Sequence, residues 1–503
     1  MLFNSVEFFV FFPITAFIFF LIPSKSRLSA LILFSCLFYM AYRPFLIFLL
    51  GYIVVVNYFV SLKFKSLAPG SKKILFIFSL ILNLLPLMLF KYLNFIIGNL
   101  NFISNVLEIK YTLRSFDIIL PIGISFYTFK AISYLAEVYW GRIDAERNFK
   151  SLSLYIIFFP ELLAGPIDRP QNLIPQFQVQ NNFDYVRVME GIKLLAWGLF
   201  QKMVIADRLS ILVDKIYSTP GQYSGVYLII ATIFFAFQIY ADFSGYSDIA
   251  IGAGKILGYD LMLNFNRPYF SKSVAEFWRR WHISLSTWFR DYVFLPVTYS
   301  MARKISAFKH IRIRADMWAY CTGILVTMFL AGLWHGAGWN YVSWGSLIGM
   351  YMVISQLSRK ARKKIVKKIR LNKFPNVYKA FQVLITFCLI SFAWIFFRAN
   401  SLADAIYIIS HLASGFDKLL TLRAFLSEFL NINNIGLNSF DFFIAAAGIC
   451  LLIYVQLLQR KSSVSDLIMK KPPVVKFALY LLFFACLFLF GNLSSSQFLY
   501  FRF

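Results

Sequence analysis

The sequence predicts an all-α polytopic membrane protein. Three observations carry that expectation: 59% of the 503 residues are hydrophobic, only 15% are charged, and apolar runs recur over nearly the whole chain. A soluble domain averages roughly 45–50% apolar and about 25% charged residues. A helix that crosses a bilayer needs about 20 mostly apolar residues, fewer where neighbours cover its ends. In chain order, segments meeting that rule lie at 5–22, 28–43, 45–62, 73–91, 117–139, 187–204, 224–240, 316–333, 338–357, 378–397, 440–458 and 474–492. Shorter apolar pieces lie near 151–163, 206–216 and 243–258. The expectation is about 11–13 transmembrane helices plus short re-entrant and interfacial helices in a single membrane domain over 1–503. The first run, Val6 to Ile22, has no basic segment before it and no small-residue cleavage site after it, so it reads as a retained helix.

Lys and Arg number 50 against 23 Asp and Glu, a net charge of +27. The excess sits in short loops between apolar runs, where it acts as a topology signal and attracts lipid headgroups; nucleic acid is excluded as a partner. Basic clusters at Lys25/Arg27, Lys63/Lys65/Lys72/Lys73, Arg359 to Lys373 and Arg460/Lys461 with Lys470/Lys471 belong on the cytoplasmic side, and the parity of the spans between them places both termini outside. The run SRKARKKIVKKIRLNK at 358–373 has few apolar positions and reads as a solvated topology signal rather than an amphipathic helix. Two stretches within 402–433, LADAIYIISHLASGF and LLTLRAFLSEFLNI, have helical spacing but are too polar to span, and read as interfacial helices outside the membrane. The five cysteines, Cys36, Cys321, Cys388, Cys450 and Cys486, are far apart in apolar runs and read as packing residues; no metal-ligand spacing occurs. Internal repeats of a transporter kind are not visible.

Polar residues at membrane depth carry the functional signal, because burying them is costly and something must compensate. They concentrate between 158 and 345. The segment QIYADFSGYSDIAIGAG at 238–254 places Asp242 and Asp248 beside Ser244, Gly245 and Tyr246. It reads either as a broken helix whose carboxylates pair with Arg267, Arg279 or Arg280, or as a substrate-facing wall. Over 276–291 a helical wheel puts Trp278, Trp281, His282, Leu285, Trp288 and Phe289 on one face and Arg279, Ile283, Ser286 and Arg290 on the other. On such a helix the arginines reach headgroups or phosphates while the aromatic face packs inward with His282. His335 follows the apolar run MWAYCTGILVTMFLAGLW and precedes Gly336, Gly338, Trp339 and Asn340, so small residues leave space beside its imidazole. A histidine there is a general base or a hydrogen-bonded structural residue. No serine-hydrolase elbow, phosphate loop, dinucleotide fingerprint or HExxH occurs. Proton transfer by a histidine in a membrane-embedded cavity is the chemistry that remains.

These motifs resemble the membrane-bound O-acyltransferase (MBOAT) family, in particular its bacterial alginate O-acetylation branch. The residues that carry the resemblance are FFPELLAGPIDR at 158–169, QIYADFSGYSDIAIG at 238–252, NFNRPYFSKSVAEFWRRWHISLSTWFRDYVFLP at 264–296, GLWHGAGWNYVSWG at 332–345, the opening MLFNSVEFFVFFPI and the closing FLYFRF. The resemblance implies helices around a central funnel or tunnel in the bacterial cytoplasmic membrane, with core motifs over 158–345. It implies acetyl-CoA or another acyl thioester as donor, no bound cofactor, and a polysaccharide or partner-protein hydroxyl as acceptor. It makes His335 the catalytic base and His282 a second functional residue, with Asp242, Ser244, Tyr246, Asp248, Trp278, Arg279, Arg280, Trp281, Trp339 and Asn340 as tunnel candidates. His282, Trp339 and Asn340 are candidate donors to the oxyanion of the tetrahedral intermediate. It also implies an extracytoplasmic partner of the SGNH-hydrolase-like type, for which the segment 402–438 is the expected docking place. Two alternatives stand beside it: D-alanyl transfer from a carrier protein toward teichoic acid, and a saccharide or lipid transporter without chemistry.

Overall fold

The computed structural model describes residues 1–109, 111–305, 315–415, 439–460, 470–491 and 498–499. Every regular element among them is helical. Among the described residues, seven helices are long and apolar enough to cross a membrane: Pro44–Lys63, Pro69–Val106, Gly225–Leu257, Asp316–His335, Pro375–Arg398, Phe440–Leu458 and Pro473–Phe490. Other segments expected to span, such as Val6–Leu21, Ser24–Met40, Ile124–Tyr139 and Trp339–Leu357, are also helices but are shorter or more polar. Pro473–Phe490 buries none of its side chains, and Phe477, Leu481, Leu482, Phe488 and Leu489 are all exposed. Such a surface is stable only in hydrocarbon, and the chain is a multi-pass membrane protein.

The chain divides into two compact units, Met1–Leu195 with Ser247–Leu263, and Ala196–Tyr246 with Asn264–Phe503. In the first unit Ser5 caps the opening helix by accepting from the Phe8 N–H. Asn57 and Asn83 lie buried on successive helices, and the Asn57 amide donates to Asn83 Oδ1 at 2.7 Å. With no water in hydrocarbon, such a pair joins helices that apolar contact alone would not register. Ile124–Tyr139 is the central element, buried from Ile124 to Val138. It begins at Gly123, whose φ of +78° and close approach to the Leu162 carbonyl exclude a side chain.

The polar motif at 158–170 is satisfied inside this unit. Lys130 Nζ lies 2.5 Å from Glu161 Oε2, both fully buried, and 4.8 Å from the Tyr155 ring centre. Asp168 accepts from Asn172 at 2.6 Å and from the Met262 N–H at 2.9 Å, pinning the strand-free segment after Gly258.

In the second unit, Ala315–His335 and Trp339–Leu357 form a helical hairpin. The Gly345 backbone lies against Gly332 and the Met328 carbonyl, an approach that any side chain would prevent. Two expectations are corrected. The segment 238–254 is not a broken helix: Gly225–Leu257 is continuous. Its glycines serve contact instead, since Gly245 lies against the Gly198 carbonyl, as Gly252 in the first unit lies against the Gly191 carbonyl. The 276–291 segment, in turn, is not one helix. It is Val274–Trp278 and Ile283–Phe289, interrupted at 279–282, followed by a π turn at Arg290–Phe294. The basic run after Ser358 is helical over Arg359–Lys368 and buries none of its side chains. Of the two stretches expected to be short helices after 402, the first is helical over Leu402–His411, while the second lies outside the described residues.

Candidate active site

The break at 279–282 is made by the segment Asn264–Arg267, which takes over hydrogen bonds that a continuous helix would make within itself. The Asn266 N–H donates to the Arg280 carbonyl at 2.9 Å, and the Ile283 N–H donates to the Asn264 carbonyl at 2.8 Å. His282 therefore sits in the left-handed region at φ +43°, as does Arg267 at +46°. Non-glycine residues hold that conformation only where the surroundings impose it, and such positions cluster at functional sites. Asn264 Oδ1 lies 2.9 Å from His282 Nδ1 and accepts from the Ser284 hydroxyl at 2.9 Å. One amide oxygen thus orients the His282 ring, which is fully buried. Ser273 caps the helix before the break by accepting from the Glu276 N–H, and Glu276 pairs with Arg280 at 2.6 Å.

His335 is the last residue of Ala315–His335 and is buried. Its ring meets Trp334 at 4.8 Å, Trp344 at 5.0 Å and Phe397 at 5.2 Å between centres, each near-perpendicular. Trp334 also lies edge-on to His282 at 6.0 Å. One indole thus stands against both histidines. Trp344 stacks on Trp394 at 5.5 Å and meets Trp278 at 5.6 Å, and Trp394 meets Trp281 at 5.1 Å. Trp278 and Trp281 therefore belong to the same aromatic wall as His335. After Gly338, Asn340 turns its amide to donate to the Ala399 carbonyl at 3.0 Å, which ties the start of the second hairpin helix to the end of Pro375–Arg398.

A second polar cluster adjoins the histidines through Phe243, whose ring lies 4.5 Å from His282 and 6.0 Å from Phe498. It is built on a π turn at Gln201–Ala206. The wider turn directs two neighbouring side chains at Gly225–Leu257: Gln201 accepts from the Ser244 hydroxyl, and Lys202 lies 2.6 Å from Asp242 Oδ1. Lys202 also pairs with Asp207 at 2.9 Å. π turns of this kind are frequent at functional sites. Asp242 Oδ2 accepts from the Leu499 N–H at 2.8 Å, and Phe498 lies 4.5 Å from Tyr246 and 5.7 Å from Lys202 Nζ. The carboxylate thus holds the backbone at Leu499 in place. The expected pairing of Asp242 with an arginine is corrected: its cation is Lys202, in the π turn at Gln201–Ala206.

The structure therefore brings together His282, His335, Trp278, Trp281, Asp242, Ser244, Tyr246 and Asn340. Asp248 belongs to the first unit and is partly exposed. Arg279 is exposed, Arg280 is engaged with Glu276, and Trp339 is 53% exposed. The residues missed from sequence are Asn264, Trp334, Trp344, Trp394, Phe397 and Lys202. Asn264 and Trp334 lie inside the quoted motifs, but Asn264 is 18 positions from His282 and nothing local marks either as a partner of that histidine. Among the described residues no cluster of His, Cys, Asp and Glu could hold a metal ion.

Replacing Asn264 with alanine removes the acceptor that orients His282 and leaves the Ser284 hydroxyl without it. A fall in turnover of about 10-fold or more, with little change in melting temperature beyond a lost buried hydrogen bond, is the expected result of steady-state kinetics on the purified variant. Unchanged turnover would show that His282 orientation is irrelevant.

Comparison with known proteins places residues 34–401 under the family model "MBOAT, membrane-bound O-acyltransferase family". The chain is 34% identical to the "Probable alginate O-acetylase AlgI" of Pseudomonas aeruginosa over 80% of its own length and 72% of that protein. It is 30% identical to the "Peptidoglycan O-acetyltransferase" of Helicobacter pylori over 100% of its own length and 98% of that protein. It is 29% identical to the "Teichoic acid D-alanyltransferase" of Streptococcus thermophilus over 55% of its own length and 68% of that protein.

Proposed function

Because the chain belongs to the membrane-bound O-acyltransferase family and is thus an O-acyltransferase, we propose that it moves an acetyl group from cytoplasmic acetyl-CoA to a hydroxyl of an extracytoplasmic polysaccharide or partner protein, with His335 as general base. The observation that carries the residue assignment is the pair of buried histidines that both meet Trp334 within one aromatic wall. Acetyl transfer is favoured over D-alanyl transfer because the two O-acetylating relatives match over 80% and 100% of the chain, against 55% for the D-alanyltransferase.

In this reading the acceptor hydroxyl gives its proton to the His335 imidazole as its oxygen attacks the thioester carbonyl. The C–O bond forms, the tetrahedral intermediate collapses with loss of the C–S bond, and the imidazolium returns the proton to the departing thiolate. The products are an acetyl ester and free CoA. His282 remains as an oxyanion donor, whereas Trp339 is 53% exposed and one N–H of Asn340 is committed to Ala399. The aromatic wall keeps water from the thioester, which would otherwise hydrolyse. The protein lies in the bacterial cytoplasmic membrane with both termini outside. An SGNH-hydrolase-like partner docks near 402–438, where Leu402–His411 is the described part.

The test is transfer of radiolabelled acetyl from acetyl-CoA by the full chain in lipid nanodiscs, with peptidoglycan or alginate as acceptor and with or without the partner. Label in the acceptor that depends on the protein supports the reading. Folded protein that ignores acetyl-CoA but uses a D-alanyl-loaded carrier would replace it with the D-alanyl reading.

A further inference from the structure

Arg359–Lys368 begins one residue after Trp339–Leu357 ends, and it is followed within a few residues by the membrane-crossing helix Pro375–Arg398. Nine of the fifteen residues from Arg359 to Lys373 are Lys or Arg, and no Asp or Glu occurs between Asp316 and Asp404. Among the described residues, no carboxylate pairs with any of the nine. A helix carrying that many uncompensated charges repels itself, and a bare topology signal has no need to be helical.

Two details give it a built orientation. Arg362 turns back along the chain: Nε donates to Ser358 Oγ at 3.1 Å, and one terminal N–H group donates to the Ser355 carbonyl at 2.5 Å and Oγ at 3.0 Å. The joint with Trp339–Leu357 is thereby fixed, and Arg370, at φ +56°, ends the segment sharply. On the helix, Ala361, Ile365 and Ile369 follow at four-residue spacing and form one stripe, with Lys360, Lys363, Lys364 and Lys367 on the other side. Ile365 and Ile369 are 56% and 61% exposed, and Phe374 beyond them is 62% exposed. Among the described residues, nothing covers this stripe.

We propose that Arg359–Lys373 is an interfacial device that docks on the anionic glycerophospholipid headgroups of the leaflet from which Trp339–Leu357 emerges, with Ile365 and Ile369 entering the acyl boundary and the lysines binding lipid phosphates. Charge complementarity and continuity with two membrane helices select a lipid surface as the occupant. The inference rests on the membrane placement of the chain and not on its chemistry.

The test is native mass spectrometry of the full-length protein equilibrated in micelles with equimolar phosphatidylglycerol and phosphatidylcholine of matched chains. Wild type should retain phosphatidylglycerol preferentially. K360Q/K363Q/K364Q/K367Q keeps five basic residues for topology and should lower that preference more than about tenfold at an unchanged melting temperature. Ile365→Asp with Ile369→Asp should weaken retention while leaving the cations intact. Equal retention of the two lipids by wild type, undiminished preference in the fourfold variant, or displacement of the lipid by excess inorganic phosphate would each overturn the proposal. If the fourfold variant does not fold, wild type decides. A preference that falls as ionic strength rises from about 0.01 M to about 1 M supports lipid electrostatics, and one indifferent to salt overturns it.

Discussion

His335→Ala should reduce acyl transfer by about 10²–10⁴-fold, the range that a positioned general base contributes, while leaving the protein folded. The effect should fall on kcat, because the base acts as the hydroxyl attacks and not while substrates bind. Its ring is buried among Trp334, Trp344 and Phe397, so truncation also leaves a cavity, and the variant's melting temperature must be followed beside its rate. His335→Gln separates the two effects: it fills more of the space but cannot act as a base, and it should be as inactive as the alanine variant with less loss of stability. A His335→Gln protein with wild-type kcat would end the assignment.

The largest effect on stability is expected from Lys202→Met. The Lys202 ammonium serves Asp242 and Asp207 together, and the three side chains are at most 6% exposed. Removing one partner of a buried ion pair costs about 3–5 kcal/mol, because the remaining charge is left in a medium that cannot solvate it. Here two carboxylates are left, and one of them also holds the Leu499 N–H. Lys202→Met should therefore yield little monodisperse protein, or protein with a much lower melting temperature. Adding Asp242→Asn and Asp207→Asn should restore part of the loss, since neutral amides no longer need the cation. An unchanged melting temperature in Lys202→Met would show that the cluster is solvated in the membrane.

The apolar periodicity was enough to read the chain as helical and membrane-spanning, because in hydrocarbon each helix must satisfy its own backbone and show an apolar surface. The sequence likewise picked out His282, His335, Trp278, Trp281 and Asp242, since polar groups at membrane depth are rare and aromatic residues beside them conspicuous. It could not show that Gly245 and Gly252 permit helix contact rather than a break. The same glycine spacing serves both ends, and only the presence of Gly198 and Gly191 on the facing helix decides between them.

The interruption at 279–282 was also beyond local reading. The wheel over 276–291 is regular, and helical spacing is all a sequence window contains. What overrides it is competition from Asn264 and Asn266, whose backbone and side chain take the hydrogen bonds of Arg280, His282 and Ile283. The pairing of Asp242 with Lys202, forty positions earlier, and with Leu499 near the chain end likewise follows from where helices pack. By itself the sequence determined the class of the protein and the candidate residues for its site, through the cost of polar groups in lipid. Tertiary structure decided which of those residues meet, because buried charges and imidazoles take their partners from whatever the fold brings within hydrogen-bonding distance, regardless of separation along the chain.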